Sequence, residues 1–396
     1  MPLPALLKKK DFTKLLVGLT ASTAADGLLF IALPLWVFAA TRSPLQTSLT
    51  FAVQAVPRLL LGPLGGAFAD IHDKRRILVG SYLIRFLLIT LMVIALHLGS
   101  LIGIYTLLAL EAALSTLARP ASMALIPALT PTEDLQAANG LVNTGFSISQ
   151  LVSPALGTLL LSLMTTPSVV LVAMSLYLLS LGCVMVLSEE AGRSFGKPLS
   201  LYRSILEGLC FVVQHQQLLA VVVSGAAIWL GQGLLLSAAI PWLASNPQTS
   251  ESSFGLLVSA LGIGMVLGGF LLSTGARWTM GKVYQLGLLG SGILLALAAL
   301  QTNLLSILSL FIAVGITFML SNSSGLTLLQ QLSGSDQQGR VYAISNTLSE
   351  GARLSGILMV PLLLAQTTPS WVIALAGVVT LLAIPIYLRG AHIPTK

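Results

Sequence analysis

The stretch Gly62-Pro-Leu-Gly-Gly-Ala-Phe-Ala-Asp-Ile-His-Asp-Lys-Arg-Arg76 decides how the chain is read. One apolar segment runs into it from Ser48, and another leaves it from Ile77. Gly62 and Gly66 stand four apart, a spacing that lets two helix backbones approach closely inside a membrane. Asp70 and the basic triplet Lys74, Arg75 and Arg76 follow, and such a triplet marks a short cytoplasmic turn under the positive-inside rule.

Composition agrees with two membrane spans joined by a turn, repeated along the chain. The 396 residues are 55% hydrophobic and only 8% charged, with a mean hydropathy of +0.93. Soluble chains carry about 25% charged residues, so a soluble domain is excluded. At about 20 apolar residues per span, there is room for roughly a dozen spans. The net charge of +7 would suggest a nucleic-acid partner in a soluble protein. Here nearly all the Lys and Arg fall in alternate loops, so no nucleic-acid partner is expected. The basic residues Lys8, Lys9 and Lys10 precede a full-length span rather than a short cleavable one, which argues against a signal peptide. Cys183 and Cys210 are expected to be free thiols, with no metal site and no cofactor.

Spans are expected at about 15–40, 46–70, 77–97, 101–127, 137–163 and 168–188. A second set follows at about 217–243, 254–275, 282–300, 304–331, 338–364 and 370–389, each near the ~20-residue requirement. Loops on the N-terminal side hold Lys8, Lys9, Lys10, Lys14, Lys74, Arg75, Arg76, Arg193, Lys197, Arg203, Arg277, Lys282, Arg340, Arg389 and Lys396, and the opposite loops hold Arg42 alone. Both termini are therefore expected in the cytoplasm. The polar interval after Ser188 divides the chain into a six-helix bundle at 1–188, a cytoplasmic linker at 189–213 and a second bundle at 214–396. The run from Leu201 to Gln217 is mildly amphipathic, fitting either an interfacial helix or the start of the seventh span.

A shift of 203 places sets Gly65-Gly66 on Gly268-Gly269, Lys74 on Arg277, and Asn143-Thr144 on Asn346-Thr347. One shift that serves separated loops points to two parallel repeats about an axis along the membrane normal. Ser273 stands opposite Asp70, so the two corresponding loops are not equivalent.

The Gly66-x-x-x-Asp70-x-x-x-Lys74-Arg75 spacing resembles the loop signature of the major facilitator superfamily, between its second and third membrane helices. Ile71 and Asp73 replace its usual basic residue and glycine. The segments Ala24-Ala-Asp-Gly-Leu-Leu-Phe-Ile-Ala-Leu-Pro34, Arg119-Pro-Ala-Ser-Met-Ala-Leu-Ile-Pro127, Ala138-Asn-Gly140 and Gly339-Arg-Val341 resemble the macrolide and enterobactin exporter branch. Ser153-Pro-Ala-Leu-Gly157 resembles its antiporter motif, with Ser in place of the first Gly. The resemblance implies an all-α integral membrane protein of 12 transmembrane helices in two pseudo-symmetric six-helix bundles. It also implies a bacterial inner-membrane efflux transporter, working by alternating access and moving protons inward as a small amphiphilic drug or siderophore-like molecule leaves. A monomer is expected, in contact with the lipid bilayer. A lipid or lysolipid translocator of the same fold is the alternative.

Charges at membrane depth bear most of the functional argument, since each is expensive to insert, at about 2.5–3.5 kcal/mol. At 1.5 Å rise per residue, Asp26 lies roughly 16 Å into the first span, Glu111 about 13 Å into the fourth and Glu350 about 18 Å into the eleventh. Arg58, Arg85 and Arg353 lie at comparable depth as charge partners. Glu350 and Arg353, three apart on one helix, form an ion pair on the simplest reading. The resemblance implies that spans one, four, seven and ten line a cavity. Asp26 and Glu111 would then face substrate, and burial that favours a neutral carboxyl would let them load a proton. Glu350 is a third proton-coupling candidate. Trp229, Gln232 and Asn322 are the remaining cavity candidates, and Gly62, Gly66, Asp70, Lys74, Arg75 and Arg340 the gating candidates. Asp70 is expected to approach the start of the eleventh span beside Arg340 and to latch the cytoplasmic side. The sequence has no His-Glu-x-x-His, no nucleotide-binding Gly-rich loop before a Lys, and no His/Cys cluster, so catalysis is not expected.

The orientation is testable directly. Alkaline phosphatase, active only outside the cytoplasm, should be active when fused after Arg42 and inactive when fused after Arg76 or Arg193. Activity after Arg76 would reverse the assignment.

Overall fold

The computed structural model describes residues 6, 9–188, 201–274 and 279–391; within these, the side chains of residues 66–67, 70, 132, 201–207, 274, 335–336 and 391 fall outside the description. The described residues form α1 (Lys10–Thr41), α2 (Pro44–Ile71), α3 (Lys74–His97), α4 (Leu101–Leu129), α5 (Leu135–Leu163), α6 (Thr166–Met185) and α7 (Leu201–Gln214). They continue with α8 (Gln216–Ser245), α9 (Phe254–Thr274) and α10 (Met280–Ala298), then α11 (Leu304–Gly334) and α12 (Gln337–Leu364), and end with α13 (Pro369–Ala391). Among the described residues, 11 helices are long and apolar enough to cross a membrane. Helix α2 runs 28 residues, about 42 Å at 1.5 Å per residue, also more than a ~30 Å hydrocarbon core requires.

Local chemistry sets the helix ends. Asp73 caps α3 by accepting from the Arg76 amide at 3.0 Å, so the position where the family signature has Gly works here as an N-cap. Ser100 caps α4, and Asn303 caps α11 by accepting from the amides of Leu305 and Ser306. Gly334, at φ 62° and ψ 161°, breaks the long rod between α11 and α12. Only glycine adopts that backbone region without strain.

The chain divides into two compact units, residues 1–37 with 56–199 and residues 38–55 with 200–396. In the first, α3 packs on α4 and α6. Helix α5 presents Gly145, Ser149, Ser153 and Gly157, each four residues after the last, to α1. A Cβ on Gly145 would meet Thr20 Oγ1 at 2.6 Å, one on Gly157 would meet Ile31 Cβ at 3.4 Å, and one on Gly27 of α1 would meet Ser153 Cβ at 2.5 Å. Ser149 Oγ donates to the Thr20 carbonyl at 3.1 Å. The segment resembling the antiporter motif thus joins a small-residue seam, the packing that replaces hydrophobic driving force between helices in lipid.

The expected close approach at Gly62 is not found, because open space surrounds that position. The approach belongs to Gly65, whose Cβ would sit 3.0 Å from the Thr116 carbonyl of α4. Helical rotation decides this, since Gly65 is about 300° round from Gly62 at 3.6 residues per turn and so faces α4. Gly66 and Asp70 lie on α2, but their surroundings, and with them the Asp70 latch, fall outside the described side chains.

The second unit is built on glycine crossings. Gly233 of α8 lies against the Arg353 carbonyl and Gly356 of α12 against the Leu230 carbonyl. Gly264 and Gly315 meet across α9 and α11, and Gly292 and Gly377 across α10 and α13. Gly268, the repeat partner of Gly65, faces the Ile316 carbonyl of α11 as Gly65 faces α4. Helix α7 packs Gly208 onto Arg340 and Ile344 of α12 and buries Val212 in the core with Leu218, Tyr284 and Val341. The amphipathic segment is therefore a docked helix, separate from the seventh span. Residues 38–55 also belong here, through Ser48 to Ser237 at 2.6 Å and Arg42 to Glu251 at 2.8 Å.

Gly264→Ala should lower the melting temperature of the purified protein in detergent, as overpacking against a carbonyl costs about 1–3 kcal/mol. Gly62→Ala should stay within about 0.5 kcal/mol of the parent. Equal effects would mean that the crossings contribute nothing.

Candidate functional site

Four helices of the first unit each deliver one side chain to a single cluster. They are Asp26 from α1, Arg85 from α3, Glu111 from α4 and Tyr177 from α6. Arg85 Nε donates to Glu111 Oε1 at 2.9 Å. Its Nη2 donates to Tyr177 OH at 2.7 Å and also reaches Asp26 Oδ1 and Glu111 Oε1 in short ion pairs. The Tyr177 hydroxyl bonds Asp26 Oδ1 and lies 3.3 Å from Glu111 Oε1. The guanidinium also sits over the Tyr177 ring, 4.4 Å from its centroid.

Counting hydrogens defines what this arrangement can do. Arg85 Nη2 has two and the Tyr177 hydroxyl one. Those hydrogens face five contacts: three from Nη2 and two from the hydroxyl. Acceptors therefore compete for donors, and one added proton on a carboxylate would relieve that competition. Exposure distinguishes the acids, because Asp26 keeps 41% of its side-chain surface open while Glu111 keeps 9% and Arg85 3%. Glu111 is a closed partner of Arg85, whereas Asp26 keeps part of its side-chain surface uncovered. Arg58 acts electrostatically on Asp26 as well.

The other candidates are placed separately. Glu350 and Arg353 form the intrahelical pair expected from their spacing, with Nε to Oε2 at 3.1 Å and Nη2 to Oε2 at 2.5 Å. Trp229 packs edge-on against Phe318 at 5.9 Å, Gln232 buries Oε1 without a partner among the described residues, and Asn322 is exposed. Arg75 Nη2 donates to the Met185 carbonyl at 2.6 Å, and Lys14 donates to the Val186 carbonyl at 3.1 Å. Both cations therefore complete the C-terminal end of α6, where positive charge is favoured. Lys74 is buried, and Arg340 reaches Gln337 at 3.3 Å within its own helix. Among the described residues no group of three or more His, Cys, Asp or Glu is placed to hold a metal ion.

Sequence reasoning passed over Tyr177. The available signal was depth, since a tyrosine roughly 16 Å into a span lies far from the interfacial belts where aromatics with polar tips collect.

The Major Facilitator Superfamily family model matches residues 15–352. The chain is 26% identical over 371 residues to the uncharacterized MFS-type transporter YfiS of Bacillus subtilis, covering 90% of this chain and 87% of that one. It is 24% identical over 273 residues to macrolide efflux protein A of Streptococcus pyogenes, covering 67% and 66%. In fold it is similar to the nucleoside transporter NupG, with TM-score 0.80 at 9% identity over 96% of this chain and 99% of that one.

Removing the cation from this cluster leaves two carboxylates facing each other in a buried site. Arg85→Met should therefore lower stability by about 3–5 kcal/mol, read as melting temperature in detergent. Adding Asp26→Asn and Glu111→Gln to Arg85→Met should recover much of that loss. A triple variant no better than the single one would refute charge balance as the role of Arg85.

Proposed function

Because the chain belongs to the Major Facilitator Superfamily, we propose that it exports a small amphiphilic molecule by alternating access, in exchange for protons. As a member of this family it is a multi-pass membrane transporter of small molecules rather than an enzyme. The direction of transport draws support from the similarity to macrolide efflux protein A. The basic residues gathered in alternate loops support cytoplasmic termini, and the bacterial relatives support an inner-membrane location. The unit of transport is a single chain.

The observation that carries proton exchange is the division of labour around Arg85. Glu111 is closed and doubly bonded to the guanidinium, while Asp26 shares the same Nη2 and stays 41% open. When Asp26 is ionised, the excess acceptor is held by Arg85, Tyr177 and the field of Arg58. When Asp26 takes a proton, Arg85 and Glu111 remain a matched pair and Asp26 can part from them at little electrostatic cost. Two states of similar energy that differ by one proton are what a coupled exchanger needs. Glu350 is already matched to Arg353 on its own helix, so proton coupling is assigned to Asp26, with Glu111 holding the cation in place. Trp229 and Gln232 supply a ring face and a hydrogen-bond acceptor for cargo in the second unit.

In everted vesicles carrying the parent protein, dye and macrolide uptake should depend on the proton gradient and collapse on addition of an uncoupler. Asp26→Asn should retain membrane-inserted protein yet lose at least tenfold of gradient-driven uptake. Full gradient-driven uptake by Asp26→Asn would sink the proposal. Lipid translocation that persists after the gradient is collapsed would favour the lipid-translocator reading instead.

A further inference from the structure

We propose that the Tyr177 hydroxyl is a positioning switch for the proton site, donating to Asp26 when that carboxylate is ionised and turning to Glu111 when Asp26 is protonated. The inference rests on the reading of Asp26 as the proton site and goes beyond it in naming the group that makes the two states interchangeable.

Tyr177 is fully buried, and its hydroxyl is the only polar atom on its side chain. That hydroxyl accepts from Arg85 Nη2 at 2.7 Å, which leaves its single hydrogen to choose between two carboxylates. Asp26 Oδ1 holds it in this structure, and Glu111 Oε1 waits at 3.3 Å. Rotation about the C–O bond redirects the hydrogen without moving the ring, which the guanidinium at 4.4 Å and complete burial hold fixed. Protonation of Asp26 by a solvent proton forms the carboxyl O–H and removes the charge that attracted the hydroxyl. The hydroxyl hydrogen then leaves Asp26 Oδ1 and bonds Glu111 Oε1. No proton passes through the tyrosine, which stays neutral throughout. Glu111 gains a donor as Asp26 loses one, so the buried carboxylate keeps its hydrogen-bond partners beside Arg85 in both states. Leaving it short of partners would instead incur the penalty of an unsatisfied buried acceptor.

The charged and titratable groups described around this site in the first unit belong to the same balance. Asp26 comes from α1, Arg58 from α2, Tyr82 and Arg85 from α3, Glu111 from α4 and Cys183 from the α6 turn nearer Lys14. Helix α5 packs against α1 with serine and glycine and contains no charged residue. Tyr82 is committed to Ser22 at 3.2 Å, so Tyr177 is the hydroxyl that both carboxylates share.

The test uses the full chain in lipid nanodiscs and needs no knowledge of the cargo. A pH titration followed by infrared difference spectroscopy reports the C=O stretch of a protonated carboxyl, and the band lost in Asp26→Asn identifies Asp26. Tyr177→Phe keeps the ring and removes the hydroxyl. It should move the midpoint of that band toward alkaline pH by about one unit, the loss of one hydrogen bond to a charged group. Glu111→Gln frees Arg85 and Tyr177 for Asp26, and should move the midpoint toward acid. An unchanged midpoint in Tyr177→Phe, with the Asp26 band present, overturns the switch and leaves the proton site standing. Absence of any band that Asp26→Asn removes overturns the proton site itself. Should Tyr177→Phe not fold, the tyrosine C–O band of the parent, which reports the hydroxyl's hydrogen bond, decides, and a band that does not change together with the Asp26 carboxyl band overturns the switch.

Discussion

A guanidinium buried at membrane depth has to be neutralised where it stands, and the first unit is arranged around that requirement. Arg85 is 3% exposed, and no water of the hydrocarbon core could solvate it. Four helices converge on it, each bringing one polar side chain into an otherwise apolar interior. The bonds to Glu111 fix α3 against α4, and those to Asp26 and Tyr177 fix it against α1 and α6. Breaking one partner is expensive because the others are then mismatched. The same cluster is therefore a structural tie, and the proton exchange proposed for Asp26 draws on the same set of contacts.

The second unit meets the equivalent geometric demand without charge. Ser22 bonds Tyr82 at 3.2 Å, and Ser224 bonds Tyr284 at 2.8 Å, each pair 60 residues apart and one set 202 places after the other. At this shift or at the shift of 203 that aligns Gly65 with Gly268, Asp26, Arg85, Glu111 and Tyr177 fall on uncharged residues: Ile228 or Trp229, Gly287 or Leu288, Ala313 or Val314, and Val379 or Thr380. Where Arg85 reaches across to α4, Gly287 lets α10 press on α11, so that a Cβ there would meet the Ser321 amide at 2.5 Å. One half joins its third and fourth helices by an ion pair, the other by backbone contact. The serine–tyrosine tie thus occurs in both units, while the second unit's Glu350–Arg353 pair stays within one helix and, among the described residues, only the first unit joins its third and fourth helices through charge.

Packing between these helices relies on small residues because lipid offers no hydrophobic gain for bringing two apolar helices together. The seam of Gly145, Ser149, Ser153 and Gly157 against α1 and the crossings at Gly233, Gly264 and Gly292 follow from that rule. The seam also places Asp26, one residue before Gly27, at a fixed rotation on α1. Positioning of the acid is therefore set by a contact on the neighbouring face of its helix.

The run from Leu201 fitted two readings in the sequence, but the order of the apolar spans and the pairing of Glu350 with Arg353 were legible there. Each depends on chemistry within one helix or at its ends: apolar run length, basic residues in alternate turns, or a three-residue spacing. The family was legible too, since its signature lies in one contiguous turn and a few short segments. What joins Asp26, Arg85, Glu111 and Tyr177, up to 151 positions apart, was not legible, because helix rotation and interhelical distance belong to the packed bundle. The sequence supplied charges of both signs at similar depth. Only the fold decided that Arg85 is shared by two acids, that Asp26 keeps an open face while Glu111 does not, and that Gly65 rather than Gly62 meets a neighbour. A turn of about 100° per residue separates those outcomes, and tertiary contacts alone fix that angle.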